Sequence, residues 1–279
     1  MKVRTVSYKS QSNSHEFTQS LHQTGFSVLT DHPIDINLIN SVYDEWQTFF
    51  NNEKKHHYIY DTVKQDGYFP LGTENAKGAS VSDLKEFYHF YKWGKVPNGL
   101  SDNTKLLYNQ LVSLTSTLLS WIQEKTPNNV KSLFSMPLPE MILDSKTHLL
   151  RIIHYPPLDG TEKAGAIRGG AHEDINLITL LVAGTEPGLQ VQDIDGNWHN
   201  VSCDPGSLAI NSGDMLQEIS RQYFPSTTHR VINPDNNIEN KSRYSMPLFL
   251  HPRDDVILSN RYTARQYLDE RLKEIGLKN

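Results

Sequence analysis

The residues of this sequence with the clearest chemical potential are His172 and Asp174, which lie two positions apart at the start of a β-prone segment. In an extended strand, residues i and i+2 point to the same face, so this pair would present an imidazole and a carboxylate together. A second histidine on a neighbouring strand would complete the two-histidine, one-carboxylate set that binds non-haem Fe(II) and leaves positions free for a chelating co-substrate and O2. His229, in the β-prone run 226–231, is the predicted third ligand.

A His-x-Asp pair is a weak indication by itself, because the chain has 12 histidines and most histidines are surface or hydrogen-bonded residues. His199 and His251 are predicted to be structural histidines of this kind. The same three ligands would also suit the zinc of a hydrolase, since zinc accepts histidine and carboxylate ligands. The sequence contains no His-Glu-x-x-His motif, which makes that alternative less favoured.

A second pair of residues, Arg243 and Ser245, begins another β-prone run. Alternation along a strand places both side chains on one face. A guanidinium fork and a hydroxyl on the same face can bind one carboxylate together. A carboxylate-binding pair beside an open metal is the arrangement that a dicarboxylic acid requires.

The first half of the chain is predicted to be mostly helical. Ser14 is predicted to cap a helix that runs through Leu21 and ends near Gly25. A short strand over residues 26–29 follows, and Asp35 precedes a second helix. A longer helix follows Ser101 and ends before Pro127. Apolar residues recur on the second and third helices with the 3.6-residue period of a core-facing helix surface.

From about His148 the sequence changes to short β-prone runs that are separated by Gly and Pro turn signals, which favours a jelly-roll or barrel. The predicted strands are residues 149–155, 175–182, 189–192, 198–201, 207–211, 227–232 and 244–250. A final amphipathic helix is predicted over residues 263–275. Residues 65–87 are rich in Gly, Ser and aromatic residues and are predicted to form an irregular, substrate-facing segment.

The expected fold class is mainly β with flanking helices, built on a double-stranded β-helix (jelly-roll) core. The core is expected over residues 148–260, with a mostly helical portion over residues 1–147 packed against it. A C-terminal helix is expected within residues 261–279. The three parts are expected to form one structural unit.

The composition argues against several classes of partner. The net charge is −5 and the pI is near 6.2, without a basic run interleaved with aromatic residues, so nucleic acid is not an expected partner. No apolar stretch approaches the ~20 residues of a membrane span, and residues 1–10 lack the apolar region of a secretory signal. The single cysteine, Cys203, is more typical of a small core residue than of a nucleophile. We expect a cytoplasmic protein that is a monomer or a weak oligomer.

A series of short fragments in the second half of the chain occurs in the order typical of one enzyme family. These fragments are Tyr155-Pro156-Pro157, His172-Glu173-Asp174, Gly188-Leu189-Gln190-Val191, Asp195-Gly196-Asn197-Trp198, Asn211-Ser212-Gly213-Asp214, Ser226-Thr227-Thr228-His229-Arg230-Val231 and Arg243-Tyr244-Ser245. With residues 25–32 and 83–87 they resemble the isopenicillin N synthase-like family of Fe(II)/2-oxoglutarate-dependent oxygenases. That family includes plant 1-aminocyclopropane-1-carboxylate oxidases, flavonoid and gibberellin oxidases, and bacterial ethylene-forming enzymes. The resemblance covers nearly the whole chain.

The resemblance implies an oxidoreductase that uses Fe(II), 2-oxoglutarate as co-substrate, and O2. It implies that His172, Asp174 and His229 are the iron ligands and the catalytic set. It also implies that Arg243 and Ser245 bind the distal carboxylate of 2-oxoglutarate. The implied reaction couples oxidative decarboxylation of 2-oxoglutarate, to succinate and CO2, with oxidation of a small-molecule substrate.

Three further residues receive roles from the resemblance. Tyr155 would form a hydrogen bond near the metal-chelating end of 2-oxoglutarate. Phe249 lies where relatives place an aromatic ring beside the substrate, and core packing is the alternative. Arg151 looks like the arginine that ethylene-forming relatives hold near the co-substrate and substrate, and an outer-face position is the alternative. An inward Arg151 would need an anionic partner, because an unpaired buried charge is costly.

The sequence departs from plant members of the family in two places. The residues after Ser220 are not the Asn-Gly that plant members commonly carry there, and residues 161–170 are rich in Gly and Ala and include Lys163 and Arg168. No plant substrate can therefore be transferred, and an amino acid, peptide or natural product is the expected class. Because Asp174 is retained, halogenation is disfavoured, whereas hydroxylation, desaturation and cyclisation stay open.

The Arg-x-Ser pair does not by itself establish the use of 2-oxoglutarate. Isopenicillin N synthase and 1-aminocyclopropane-1-carboxylate oxidase keep the pair without that co-substrate, so a 2-oxoglutarate-independent iron oxidase is an alternative. An ethylene-forming enzyme is another. The alternative from a different class is a non-catalytic ligand-binding module on the same fold.

Overall fold

Helices flank a sheet-rich centre in the part of the chain that the computed structural model describes, which is residues 1–74, 81–202, 204–235 and 239–274. Cys203 and Ile275, the last residue of the predicted C-terminal helix, lie outside the described residues. The helices are α1 (Asn13–Thr24), α2 (Ile36–Phe50), α3 (Asn103–Lys125), α4 (Asn128–Lys131), α5 (Leu138–Met141), α6 (Asp214–Ile219) and α7 (Ala264–Glu274), with a 3-10 helix at Glu53–Tyr58.

Two sheets form the centre, and they confirm the predicted mainly β, jelly-roll class with flanking helices. The strands are β1 (Arg4–Ser7), β2 (Phe26–Thr30), β3 (Gly67–Phe69), β4 (Glu86–Phe90), β5 (Leu149–Tyr155), β6 (Gly169–His172), β7 (Ile178–Val182), β8 (Leu189–Gln192), β9 (Trp198–Asn200), β10 (Leu208–Ser212), β11 (His229–Val231) and β12 (Arg243–Leu250). An eight-stranded sheet has the order β1-β2-β10-β7-β12-β5-β4-β3, and a four-stranded sheet has the order β6-β11-β8-β9.

Helix α2 forms where the sequence predicts a helix after Asp35. The Asp35 side chain accepts a hydrogen bond from the backbone N–H of Asn37, which satisfies one of the free donors at the helix N-terminus. The apolar stripe of the helix is buried throughout: Leu38, Ile39, Val42, Trp46, Phe49 and Phe50. The indole N–H of Trp46 donates to Thr104 Oγ1 at 2.9 Å and so ties this helix to α3.

Helix α3 begins after Ser101 and ends at Lys125, before Pro127, as predicted. Its apolar side is buried, except that Trp121 is only partly buried and packs against the core from the side. Helix α1 ends at Gly25 as predicted, and the φ of 68° at Gly25 is the left-handed conformation that glycine adopts without strain. The predicted cap at Ser14 is wrong, because the helix already begins at Asn13 with Ser12 at the N-cap position.

The main sheet extends beyond residues 148–260, because strands from the first half of the chain pair at both of its ends. β1 and β2 pair in parallel at one end, and β2 joins the core through β10. β3 and β4 form the other end and join the core through β5. The first half is therefore continuous with the sheet that forms the core.

The prediction that residues 65–87 are irregular is wrong for two of its parts, because β3 lies within the segment and β4 begins at Glu86. The error has a physical reason. Both faces of these strands are buried, so the polar–apolar alternation that marks a half-exposed strand is missing. The predicted strand 175–182 is also shorter than expected and begins at Ile178.

Candidate active site

The three predicted metal ligands converge at the end of β6, the start of β11 and the connection that follows β6. His172 is the last residue of β6, and His229 is the first residue of β11 and pairs directly with it. Asp174 lies in the connection from β6 to β7. The strand ends at His172, so Asp174 lies just outside it, but the imidazole and the carboxylate are presented together as predicted.

The donor atoms of the three residues are close enough to bind one ion. His172 Nε2 lies 3.9 Å from Asp174 Oδ1, and His229 Nε2 lies 3.8 Å from the same oxygen. Protein ligands lie about 2.0–2.2 Å from a bound metal, so donor atoms separated by these two distances can share one ion. All the ligand atoms lie within 4.8 Å of one another, and within the described residues this is the group of His, Cys, Asp and Glu side chains that could hold a metal.

The backbone fixes the proton positions on both imidazoles. His172 Nδ1 lies 2.8 Å from the carbonyl oxygen of Gly170, and His229 Nδ1 lies 3.1 Å from that of Thr227. A carbonyl only accepts, so both Nδ1 atoms must donate, and both Nε2 atoms keep a lone pair for a metal. Burial, and next the charge of His229, lowers the pKa of His172 to about 4, so this imidazole is neutral at neutral pH.

The carboxylate of Asp174 is held by one oxygen and leaves the other for a metal. Oδ2 accepts hydrogen bonds from Thr179 Oγ1 at 2.6 Å and from Asn211 Nδ2 at 2.8 Å. Burial alone would raise the pKa of Asp174, but the two histidines and these hydrogen bonds lower it below its ordinary value. Oδ1, the oxygen that faces both Nε2 atoms, is thus an ionised ligand at neutral pH. Sequence reasoning missed Thr179 and Asn211 as supporting residues.

Arg243 is a buried cation with an unused donor. Its side chain is 2% exposed, and Nε donates to the carbonyl of Glu186 at 2.9 Å. Nη1 is buried and has no hydrogen-bond partner among the described residues. Gly184 packs against the same guanidinium so closely that an added Cβ would lie 2.7 Å from Nη2. A buried donor without a partner marks a place where an anionic ligand fits.

Ser245 and Tyr155 lie next to Arg243 on the sheet. Ser245 is buried and lies two residues along β12, on the same face as Arg243. Tyr155, the last residue of β5, pairs directly with Arg243 of β12. The guanidinium carbon of Arg243 lies 5.0 Å from the centre of the Tyr155 ring. The three predicted co-substrate residues are therefore brought together.

Arg151 and Phe249 form a second group on this face of the main sheet. Phe249 is partly buried and pairs with Thr179, the residue that supports Asp174. The Arg151 guanidinium lies over the rings of Phe87 at 4.4 Å and Phe249 at 5.5 Å. It also has the anionic partner that an inward position requires, since Nη1 lies 3.1 Å from Glu74 Oε2.

Sequence reasoning missed a charged cluster beside the metal ligands, formed by Glu74, Asp83, Lys85, His89 and Arg151. Lys85 Nζ lies 2.7 Å from Glu74 Oε2 and 2.8 Å from Asp83 Oδ2, and Arg151 Nε donates to His89 Nε2 at 3.0 Å. Burial alone would lower the pKa of Lys85, but the two carboxylates raise it above its ordinary value, so the ammonium stays charged.

A sequence signal for this cluster was present. Asp83, Lys85, Phe87 and His89 are spaced by two, which places them on one face of an extended segment. The cluster also reaches the metal ligands, since Asp83 Oδ1 accepts a hydrogen bond at 2.9 Å from the backbone N–H of Gly170 in β6.

The two histidines predicted to be structural lie outside the metal-ligand group. His199 Nε2 lies 2.5 Å from Asp193 Oδ2 near the chain start. The backbone N–H of His251 donates to His148 Nδ1 at 3.3 Å. Among the described helices, none combines the length and apolar character needed to cross a membrane.

Two family profiles match the chain and together cover both of its halves. The profile described as non-haem dioxygenase in morphine synthesis N-terminal matches residues 6–112. The profile of the 2OG-Fe(II) oxygenase superfamily matches residues 146–252, a range that contains the three predicted iron ligands and the Arg-x-Ser pair.

Similar proteins extend over nearly the whole chain. A candidate oxygenase from Shewanella oneidensis, known from a crystal structure, is 52% identical with a TM-score of 0.90, covering 99% of each chain. A candidate 2OG-Fe(II) oxygenase family protein from Caulobacter crescentus is 32% identical with a TM-score of 0.79, covering 98% of this chain and 99% of its own. Protein DMR6-LIKE OXYGENASE 2 of Arabidopsis thaliana is 28% identical over 258 residues, which are 88% of this chain and 69% of that protein. The chain belongs to the 2OG-Fe(II) oxygenase superfamily and is an iron- and 2-oxoglutarate-dependent dioxygenase that oxidises a small-molecule substrate.

Proposed function

We propose that His172, Asp174 and His229 hold the single Fe(II) of this dioxygenase, and that Arg243 and Ser245 bind the distal carboxylate of 2-oxoglutarate. The observation that carries the proposal is the set of three free donor atoms, Nε2, Oδ1 and Nε2, aimed at one point by backbone and side-chain hydrogen bonds. The unused buried donor on Arg243 supports the second part.

The bound iron would supply the activation of O2 that couples decarboxylation of 2-oxoglutarate, to succinate and CO2, with oxidation of the substrate. The protein positions the reactants. His172 and His229 donate through Nδ1 to the backbone, which keeps each ring from rotating and keeps Nε2 unprotonated. The carboxylate of Asp174 offsets part of the metal charge through Oδ1, while Thr179 and Asn211 fix its plane.

The co-substrate pocket lies along the face of β5 and β12 that carries Arg243, Ser245 and Tyr155. The guanidinium fork would bind the distal carboxylate, which gives Arg243 Nη1 the acceptor that the described residues do not provide. Tyr155 lies directly opposite Arg243 in the sheet, and we propose that its hydroxyl donates a hydrogen bond to 2-oxoglutarate. Phe69 and Phe87, stacked at 4.6 Å, line the neighbouring part of this face and exclude water.

Arg151 and Phe249 are the proposed substrate-contacting residues. The Arg151 guanidinium lies over the Phe249 ring, which in turn pairs with the strand that supports Asp174. The charged cluster around Arg151 favours a polar substrate, and we propose a small amino acid, peptide or natural product. We further propose a cytoplasmic monomer or weak oligomer that does not bind nucleic acid, in which residues 1–147, the core 148–260 and the C-terminal helix work as one unit.

Two observations weigh against the alternatives. A non-catalytic binding module has no need of three donor atoms arranged around an open position, and the carboxylate of Asp174 occupies the space that a halide needs in halogenating relatives. The choice among hydroxylation, desaturation, cyclisation and ethylene formation depends on the substrate. A 2-oxoglutarate-independent oxidase would differ in a measurable way, because its turnover would not need the co-substrate.

Anaerobic titration tests the proposal directly. Fe(II) is added to the metal-free protein, 2-oxoglutarate is added next, and the visible charge-transfer absorbance of the chelate is recorded. We expect the band with the wild type, its loss with His172→Ala, and its retention with His57→Ala, a matched change at an exposed histidine. No band with the wild type, together with no release of succinate in air, would remove the 2-oxoglutarate assignment.

A further inference from the structure

A second buried arginine, Arg168, lies next to Arg243 and has no role in the site described so far. Arg168 is 2% exposed and lies in the segment just before β6. Its Nη2 donates at 2.7 Å to the carbonyl of Lys241, two residues before Arg243. Its backbone N–H donates at 3.0 Å to Asn233, so the residue is anchored at both ends.

Arg168 and Arg243 each have one guanidinium nitrogen whose hydrogen-bonding capacity is not used by the described residues. Arg168 Nε and Arg243 Nη1 are both buried and both lack a hydrogen-bond partner among the described residues. Neither guanidinium forms an ion pair with a described carboxylate, and the ranges outside the described residues contain no Asp or Glu. The nearby Glu186 is already paired with Lys241, whose Nζ lies 2.9 Å from Oε1.

The charge balance of this corner is therefore positive. Lys241 has Glu186 as its ion-pair partner and Glu239 nearby, which leaves Arg168 and Arg243 as two positive charges without a paired carboxylate among the described residues. Burying like charges together without a counter-ion is strongly unfavourable. Burial, and next the charge of Arg243, lowers the pKa of Arg168 below its ordinary value, which agrees with the closeness of the two groups.

We propose that Arg168 is a second anchoring residue for the distal carboxylate of the co-substrate, so that two guanidinium groups together select a dicarboxylic 2-oxo acid. The inference rests on the proposed function, because it takes the Arg243 corner to be the co-substrate site. A carboxylate between the two arginines supplies the missing acceptor to each and offsets part of the excess charge. A mono-carboxylic 2-oxo acid leaves both donors without a partner.

The test compares two ligands that share the chelating end and differ at the other end. 2-Oxoglutarate and 2-oxopentanoate are titrated anaerobically into the Fe(II)-loaded protein, and the dissociation constants are read from the charge-transfer absorbance and from calorimetry. Arg168→Gln removes the charge and keeps much of the side-chain volume. We expect it to weaken 2-oxoglutarate binding by about 10- to 100-fold, as the loss of one charged hydrogen bond predicts, with 2-oxopentanoate binding unchanged.

Controls separate this role from a structural one. Lys163→Gln removes a charge from an exposed residue of the same segment and should change neither constant. If Arg168→Gln weakens both ligands equally, or weakens neither, the inference is overturned. If the Gln variant does not fold, Arg168→Lys answers the same question, since its ammonium cannot reach the Lys241 carbonyl and the ligand at once. An unchanged ratio of the two constants in that variant overturns the inference.

The outcome for the proposed function is distinct. Wild-type protein that forms no chelate with 2-oxoglutarate contradicts the proposed function itself. Wild-type protein that binds 2-oxoglutarate, and loses that binding with Arg243→Ala but keeps it with Arg168→Gln, leaves the function intact and removes only Arg168 from the co-substrate site.

Discussion

Gly184 gives a way to perturb the co-substrate site without changing any residue that would touch the ligand. Its backbone conformation is accessible to other residues, so Gly184→Ala is not excluded by φ and ψ. The added Cβ would lie 2.7 Å from Arg243 Nη2, 2.9 Å from Cζ and 3.2 Å from the carbonyl oxygen of Tyr244. Ordinary contact begins at 3.4 Å, so the guanidinium must move by 0.7 Å (3.4 − 2.7).

That displacement is large on the scale of a hydrogen bond. Charged N–H···O bonds are about 2.7–2.9 Å long, and a contact longer by this amount no longer counts as one. The loss of one such bond corresponds to about 1.5–3 kcal/mol of binding free energy, which is about a 10- to 100-fold higher dissociation constant for 2-oxoglutarate. The stability cost should be near the lower end of about 1–3 kcal/mol, because the crowded group is the end of a side chain.

The assay is the anaerobic titration of Fe(II)-loaded Gly184→Ala protein with 2-oxoglutarate, alongside thermal unfolding of the metal-free protein. Gly94→Ala is the matched control, since its Cβ would meet Asp66 at 3.3 Å, remote from the metal ligands. We expect Fe(II) affinity to be unchanged in both variants and 2-oxoglutarate affinity to fall only in Gly184→Ala. Wild-type affinity in a folded Gly184→Ala protein would refute the assignment of Arg243 as the carboxylate anchor.

The other predictions concern the metal, the co-substrate requirement and acid stability. Asp174→Ala, like His172→Ala, should abolish Fe(II) binding and turnover, whereas His57→Ala should change neither. Metal analysis measures the bound iron and succinate release measures turnover. Full activity of Asp174→Ala would exclude the proposed ligand set. Arg243→Ala should raise the 2-oxoglutarate concentration needed for half-maximal turnover by at least about 10-fold. An unchanged concentration would remove Arg243 from the co-substrate site, whereas wild-type turnover without 2-oxoglutarate would indicate a co-substrate-independent oxidase. Burial alone would raise the pKa of Glu86, but hydrogen bonds and a neighbouring ammonium lower it below 4.5. Its charged form thus contributes stability at neutral pH that is lost as the pH falls through the lowered pKa. Glu86→Gln should cost about 1–3 kcal/mol at pH 7 and less at pH 3 in chemical denaturation; an equal loss at both values contradicts this.

The sequence predicted best those features that depend on local order along the chain. Strand β5 has the predicted bounds, and so does the strand of residues 189–192, because each is a short β-prone run between turn signals. The position of His229 on a strand that neighbours His172 was predicted from β propensity and family order, and the observed register places the two residues directly opposite each other. Arg243 and Ser245 were found because a two-residue spacing survives in any extended strand.

The features that sequence reasoning missed depend on contacts between distant segments. Glu74 contacts Arg151 and Lys85 only once β4 has paired with β5. Arg168 lies near Arg243 because it donates a hydrogen bond to the backbone carbonyl of Lys241, and no sequence motif indicates that contact. The end of β6 at His172, before Asp174, was also missed, because the sequence alone does not show where a strand ends and the chain passes from one sheet to the other.

The position of β4 near the end of the main sheet separates the surroundings of the substrate from the residues proposed to bind iron and 2-oxoglutarate. The residues proposed to bind iron lie on β6, on β11 and in the connection after β6, and those proposed to bind 2-oxoglutarate lie on β12 and β5. Lys85, Phe87 and His89 instead come from β4 and the residue before it, and β4 is one strand from the end of the main sheet. A mutation in β4 therefore changes the surroundings of the substrate while every proposed metal ligand keeps its own supporting hydrogen bonds. Substrate range in such a fold can diverge by changes near one end of the sheet, with the oxidative chemistry inherited intact.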